Sequence, residues 1–282
     1  MKKVLLPTDF SENAYNAIEY AIQLLVGQSC EFYVLHTYTP VMISDGNMLD
    51  SYSALTLQRV AQETAQKQLD ELSDRISKDF PDSNHSFKFM AAFNLLIAEM
   101  KNIIDEYDID FVVMGTQGAT GAKEVFLGTH TMYAIKKLKC PVIAVPARFN
   151  YEAPKEILFS TDYKLNKDNK YLPMVRELCE HHNSRLHILN AYYGTPLSTQ
   201  QLENKDYLDD FFKEHSHLFH IAEGIDVLGA IEQFQINSKI NFIVMIHNKH
   251  NFLENLLFKP VINQIVYHTR VPFLIIPSVV RQ

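Results

Sequence analysis

Residues 115–131 read GTQGATGAKEVFLGTHT, and the first fourteen of them hold four of the chain's nine glycines. They follow the apolar run FVVM at 111–114 and lead into GTHTMYAIKKLK at 128–139, whose spacing predicts a helix. An apolar run that ends in glycine before a helix reads as the exit of a buried strand. In an open parallel sheet that exit lies where ligands bind, outside the carboxyl ends of the strands. Gly115 frees the backbone as it leaves the strand, Gly118 permits a positive φ or a close approach, and Gly128 with Thr129 opens the helix. The N–H groups and partial positive charge of a helix N-terminus, joined by the hydroxyls of Thr129 and Thr131, suit a phosphate. The alternative reading is that the glycines only shape a loop. The spacing is neither GxGxxG nor a Walker A sequence, since no Lys-Ser or Lys-Thr follows the last glycine.

On both sides of this stretch, short apolar runs alternate with segments of helical period. KVLLP, FYVLHTY, FKFMAA, FVVMG and PVIAVP are rich in Val, Ile, Phe or Leu and fit strands buried on both faces, as in a parallel sheet. Between the first two, Ala14, Ala17, Ile18, Ala21, Ile22 and Leu25 share one helical stripe, with Ser11 placed as its N-cap. SALTLQRVAQETAQKQLDELSDRIS and NLLIAEMKNIIDEYD behave likewise. Strand and helix in alternation imply a doubly wound α/β sheet.

The pattern then repeats. VLLPTDFS at 4–11 returns as ILFSTDYK at 157–164, and FYVLHTY at 32–38 as LHILNAY at 186–192. IDFVVMGTQG at 109–118 returns as INFIVMIHNK at 240–249, and CPVIAVP at 140–146 as VPFLIIP at 271–277, both offset by 131. The earlier pairs are offset by 153 or 154, so just over twenty residues are missing from the middle of the second unit. Four ordered similarities predict a duplication. The expected units are residues 1–148 and 154–282, divided near PARFNYEAPKE.

Composition narrows the function classes. A chain of 282 residues suits two domains, and 47% apolar with 21% charged residues is ordinary for a globular protein. The net charge of −7 and the scattered basic residues give no footprint for nucleic acid or anionic lipid. Cys30, Cys140 and Cys179 are far apart and read as reduced thiols, with Cys140 in the core. MKKVLLPTDF has no signal-peptide apolar region, and no run approaches a membrane span, so a cytoplasmic protein is expected.

The glycine stretch, Gly115-x2-Gly118-x9-Gly128-Thr129, resembles the nucleotide-binding signature of the universal stress protein family, G-x2-G-x9-G-(S/T). LLPTDFSENAYNAIEYA, VLHTY and KCPVIAVP match that family in order and spacing, and the repeat makes the chain similar to its tandem members. The resemblance implies two tandem doubly wound, mostly parallel five-stranded sheets of the universal stress protein, adenine nucleotide alpha hydrolase-like kind. It also implies that the last strands of the two units pair, forming a pseudo-dimer within one chain; two chains could associate further as a homodimer. By the same resemblance ATP or another adenine nucleotide binds the first unit, with Mg²⁺ or Mn²⁺ as companion cation. Pro7, Thr8 and Asp9 would lie beside the nucleoside, and His36 and Thr37 would flank adenine. Met114 and Gly115 would sit along the nucleoside, and Gly118, Gly128, Thr129 and His130 would surround ribose and phosphates. The implied role is a nucleotide-responsive regulator in stress response that signals to a protein partner. The alternatives are a slow ATPase and a nucleotide-free interaction scaffold.

The second unit departs from this pattern. Ile246, Lys249, Lys259 and Pro260 stand where the first has Gly115, Gly118, Gly128 and Thr129, which predicts a structural unit or partner surface. Asp9 has two readings: a ligand contact, because Ser11 is available as cap, or a cap itself, because Asp162 persists where the glycines are gone. His215, His217 and His220 are expected in an irregular loop without a shared metal, and His181, His182, His247 and His250 as solvated residues. MISDGNMLDSYSALTLQRV at 42–60, with Met42, Met48, Leu49 and Tyr52, reads as a surface loop before a helix, the alternatives being a lid over the nucleotide or an inter-domain contact. No GxSxG or HExxH motif marks a hydrolase, and no residue stands out to orient an attacking water.

Overall fold

The computed structural model describes residues 1–39, 48–81, 83–116, 128–192, 196–225, 227–247 and 270–278. The first half runs β1 (Lys2–Pro7), α1 (Glu12–Leu24), β2 (Cys30–Tyr38), α2 (Met48–Asp79), β3 (Ser86–Phe93), α3 (Leu96–Tyr107), β4 (Phe111–Gly115), α4 (Thr129–Lys137) and β5 (Val142–Val145). The second runs β6 (Glu156–Ser160), α5 (Leu172–His182), β7 (Arg185–Tyr192), α6 (Thr199–Phe211), β8 (His217–Glu223), α7 (Val227–Ser238), β9 (Phe242–His247) and β10 (Phe273–Pro277). The expected strand runs all form strands. So does HLFHIAE at 217–223, where an irregular loop was expected: it pairs parallel with β7 from Leu186–His217 to Tyr192–Glu223.

Among the described residues ten strands form one sheet, in the order β3-β2-β1-β4-β5-β10-β9-β6-β7-β8. Within each half every pairing is parallel, and the halves meet where β5 and β10 run antiparallel, with Phe273 opposite Ala144 and Ile275 opposite Val142. The last apolar runs of the halves therefore pair, as the resemblance implied. Pairing them removes two strand edges that would otherwise expose unsatisfied backbone groups. It also makes the cores continuous. One apolar cluster joins Val4, Phe32 and Ile18 to Phe159, Val175 and Leu208, and the cluster on the opposite face joins Leu5, Met100 and Val112 to Leu158, Ile231 and Ile243.

Hydrogen bonds repeat at aligned positions. Asn16 on α1 donates to the Pro146 carbonyl at 3.2 Å, and Asn169 donates to that of Pro277 at 3.1 Å. The N–H of Lys3 donates to Asp110 Oδ2 at 2.8 Å, and that of Glu156 to Asn241 Oδ1 at 3.2 Å. Helix ends follow local chemistry. Ser11 caps α1 by accepting the Ala14 N–H, and Ser198 and Gln201 form a reciprocal capping box on α6. Among the described residues no helix is long and apolar enough to cross a membrane.

Two histidines depart from expectation. His182 and His247 are buried rather than solvated, His182 because the end of α5 packs against α1 and His247 because it completes β9; His250 lies outside the described residues. Burial, reinforced by the charge of His181, holds the His182 imidazole down at about 4. Cys140 is buried and free, and burial pushes its thiol up to about 12. Of the stretch 42–60, Met42 lies outside the described residues and α2 begins at Met48, so the helix starts earlier than the loop reading placed it.

Candidate functional site

Strand order reverses at β1, which has β2 on one side and β4 on the other. The crevice of an open α/β sheet forms at such a point, beyond the carboxyl ends of the strands. Pro7 is level with Leu35 on β2, and the register Val4–Phe111 and Leu5–Val112, carried on, brings Pro7 and Thr8 level with Met114 and Gly115. The expected residues of β1, β2 and β4 thus meet at one sheet end. Gly118 lies outside the described residues.

The end of β1 is a tight turn. The Thr8 N–H donates to the Leu35 carbonyl at 2.8 Å, while Thr8 Oγ1 accepts the N–H of Phe10 at 3.0 Å. That second bond holds Phe10 at φ 62°, a conformation costly for a bulky residue and retained only because the turn requires it. His36 Nδ1 lies 2.9 Å from the Thr8 carbonyl. A carbonyl only accepts, so Nδ1 carries the hydrogen and Nε2 is left to other partners. The Phe10 ring sits 4.4 Å from the His36 ring, which fixes the imidazole further. Asp9 is exposed, and its Oδ1 accepts both the N–H and the hydroxyl of Ser11. Ser11 is the cap, and Asp9 steadies it. Thr37 is half-buried beyond His36 on β2.

The end of β4 is a gate for the glycine loop. Gly115 pairs with Val145, the Thr116 N–H donates to the Val145 carbonyl at 2.9 Å, and the Gly128 N–H donates to Thr116 O. Thr116 and Gly128 therefore lie together at the end of β4. α4 starts there with Gly128 as N-cap, no side-chain cap and no acidic residue in its first turn. Thr129 and His130 are exposed at that first turn, where helix N–H groups have no intrahelical partner. Thr131 is different: it is buried and its hydroxyl donates to the Gly115 carbonyl at 2.7 Å, so it ties α4 to β4 rather than facing a phosphate. The Met114 side chain belongs to the core beside α3 and α4, with 5% of its surface exposed.

One polar group here escaped the sequence reading. Thr116 is buried, and its Oγ1 has no hydrogen-bond partner among the described residues. An unsatisfied buried hydroxyl costs roughly 1–3 kcal/mol, so its place at the foot of the glycine loop calls for a partner. Its position beside Gly115 was the available signal. The donor set, the α4 N-terminus behind Gly128 with no side-chain cap and with hydroxyls beside it, suits the phosphates of a nucleotide. Among the described residues no three His, Cys, Asp or Glu side chains could hold a metal ion. The three histidines at 215–220 go separate ways: His215 lies 3.2 Å from Glu180, His217 lies 2.8 Å from Asp209, and His220 lies 3.0 Å from His187.

The aligned end of β6 keeps the turn and loses the opening. Thr161 donates to the Leu189 carbonyl at 2.9 Å, Tyr163 donates to Thr161 Oγ1 at 2.9 Å, and Tyr163 sits at φ 57°. Asn190 takes the place of His36 and donates to the Thr161 carbonyl at 3.0 Å. Here α6 reaches across. Gln201 donates to the Asp162 carbonyl at 2.7 Å, and Asn204 to those of Tyr163 and Leu165 at 2.7 and 3.2 Å. Ile246 and His247 are buried at the positions of Gly115 and Thr116. Lys249, Lys259 and Pro260 lie outside the described residues.

A parallel α/β sheet with a glycine loop at its reversal point defines the class to which this chain should be compared. The sequence profile of the universal stress protein family matches residues 1–146, more than half of the chain, and the chain belongs to that family. A universal stress protein of Methanocaldococcus jannaschii is 26% identical over 152 residues, covering 51% of this chain and 94% of that protein. One from Synechocystis is 25% identical over 150 residues, covering 51% and 96%. The crystal structure of a universal stress protein from Archaeoglobus fulgidus shares the fold along nearly the whole chain. Its TM-score is 0.68 at 17% identity, covering 98% of this chain and 96% of that one.

Proposed function

We propose that this chain is a tandem universal stress protein of the cytoplasm, with domains at 1–148 and 154–282, whose first domain binds ATP or a related adenine nucleotide. In this reading it acts as a nucleotide-responsive regulator in stress response. The observation that carries it is the meeting of the β1 turn, His36, Gly115 and the uncapped start of α4 at the point where strand order reverses. His36, held by Thr8 and Phe10, presents a fixed ring edge to a base. Pro7, Thr8 and Asp9 line the nucleoside on one side, Thr37 the adenine, and Met114 the other side through its backbone. Gly118, Gly128, Thr129 and His130 receive ribose and phosphates, and the Thr116 hydroxyl gains a partner there. A bound nucleotide supplies negative charge that the start of α4 attracts. Mg²⁺ or Mn²⁺, if it enters, is carried by the phosphates. The second domain serves as the partner that closes the sheet, because its crevice is spanned by Gln201 and Asn204.

The test is mass spectrometry of small molecules released on denaturing freshly purified protein, followed by titration calorimetry with Mg-ATP. One adenine nucleotide per chain, lost on Gly118→Lys and kept on Lys249→Gly, is the expected result. No released nucleotide, no heat and no thermal shift would leave a nucleotide-free scaffold. Product formation in the same samples would instead identify a slow ATPase.

A further inference from the structure

The ten-stranded sheet has two outer edges, β3 and β8, and they are not alike. Among the described residues each pairs with one neighbour, β3 with β2 and β8 with β7. An edge strand presents unpaired N–H and C=O groups to any second strand, and proteins commonly blunt it with lysine or proline. β3 carries Lys88 near its middle, exposed and bonded to Glu31. β8, His217–Glu223, contains neither lysine, arginine nor proline, and it exposes Leu218 at 48% and Ile221 at 61%.

The order of residues on β8 is self-complementary. If two copies pair antiparallel about a twofold axis through His220, Phe219 faces the partner's Ile221, Leu218 faces the partner's Ala222, and His217 faces the partner's Glu223. Directly opposed side chains lie close enough to interact in such a ladder. Phe219 and Ile221 share one face with His217 and Glu223, because side chains alternate along a strand. The charges agree as well. His217 is already held within its own chain, by the His215 carbonyl at 2.9 Å and Asp209 at 2.8 Å. Lys205 on α6 lies over Phe219, its Nζ 5.4 Å from the ring centroid. The partner's Glu223, diagonal to Phe219, would meet Lys205. The same construction on β3 sets Lys88 opposite an alanine and brings no charges of opposite sign together.

We propose that β8 is the self-association edge of this protein, and that its occupant is a second copy of the chain paired antiparallel through β8. The sheet then runs through both copies, and the apolar surface of Leu218 and Ile221 is covered. The β1, β2 and β4 ends lie toward the far end of each sheet, so the interface does not depend on the nucleotide reading and leaves that site open.

Sedimentation velocity on the full chain across a concentration series, without nucleotide, tests this directly. A monomer–dimer equilibrium is expected. Ile221→Lys, at an exposed position, should weaken dimerisation by about tenfold or more, since the symmetric pair is lost twice. Glu223→Lys should weaken it less, with an effect that shrinks at high salt. Leu218→Cys combined with Ala222→Cys should give a disulfide-linked dimer on a non-reducing gel, a readout undisturbed by the three buried native cysteines. Circular dichroism melts confirm that each variant is folded. A wild-type chain that stays monomeric throughout the series overturns the proposal. So does a dimer that survives Ile221→Lys and is lost with Phe93→Lys on β3.

Discussion

The turn after β1 and the turn after β6 share their backbone chemistry and differ in what lies above them. Thr8 and Thr161 make the same two bonds, Phe10 and Tyr163 adopt the same positive φ, and His36 and Asn190 each donate to the threonine carbonyl. Yet among the described residues only the second turn is held from above by a helix, α6, through Gln201 and Asn204. A Thr-Asp-aromatic turn is therefore part of how this sheet starts a helix, and its presence alone does not mark a binding site. The distinction lies at the exits of β4 and β9: glycine and an uncapped helix in one half, buried Ile246 and His247 in the other.

Several experiments press on that contrast. The largest effect is expected for Gly118→Lys, which should lower nucleotide affinity by about a hundredfold or more by placing a side chain where close approach is needed. The reverse change, Lys249→Gly, should leave calorimetric binding as it was. Phe273→Ala, at the strand that joins the halves, should cost about 3–5 kcal/mol in chemical denaturation, because Phe273 is 1% exposed. Both halves should lose structure in one transition, since each core runs through both; two separate transitions would break that picture.

A smaller effect separates the two turns. Asn190→Ala leaves the buried Thr161 carbonyl unpaired and should cost about 1–3 kcal/mol, whereas His36→Asn keeps a donor and should barely change stability while weakening nucleotide binding. The pH dependence tests the contact between α5 and α1. His182 is held at about 4 in the folded chain, below its ordinary 6.5, so the unfolded chain binds a proton first as pH falls. Stability from this group is complete above about 6.5 and drains away toward 4. A melting series over that range should flatten in His182→Phe. The smallest expected change is Ser11→Ala, about 1 kcal/mol from loss of the α1 cap.

Much of the site was legible because its signals are local. Gly115, Gly128 and Thr129 announce a strand exit and a helix start within a few residues, and Pro7-Thr8-Asp9 announces the neighbouring one. The role of Thr131 was not legible. A hydroxyl in a first helical turn can face a ligand or bond backwards, and the choice depends on where the Gly115 carbonyl ends up. Likewise nothing in HSHLFH says that its three histidines answer to Glu180, Asp209 and His187, which belong to three other elements. The strand character of β8 was not readable from its pattern, because its apolar residues at 218, 219, 221 and 222 do not alternate; pairing with β7 decided it.

The sequence by itself determined the strand and helix order of the first half, the internal repeat and the loss of glycine in the second half, because periodicity, capping and glycine content act over short distances along the chain. Only the tertiary structure decided that the two cores merge across β5 and β10, that His182 and His247 are buried, and that α6 bonds to the turn after β6. Those outcomes depend on which surfaces meet. Burial and hydrogen-bond satisfaction are settled by residues far apart in sequence, and no local pattern carries that information.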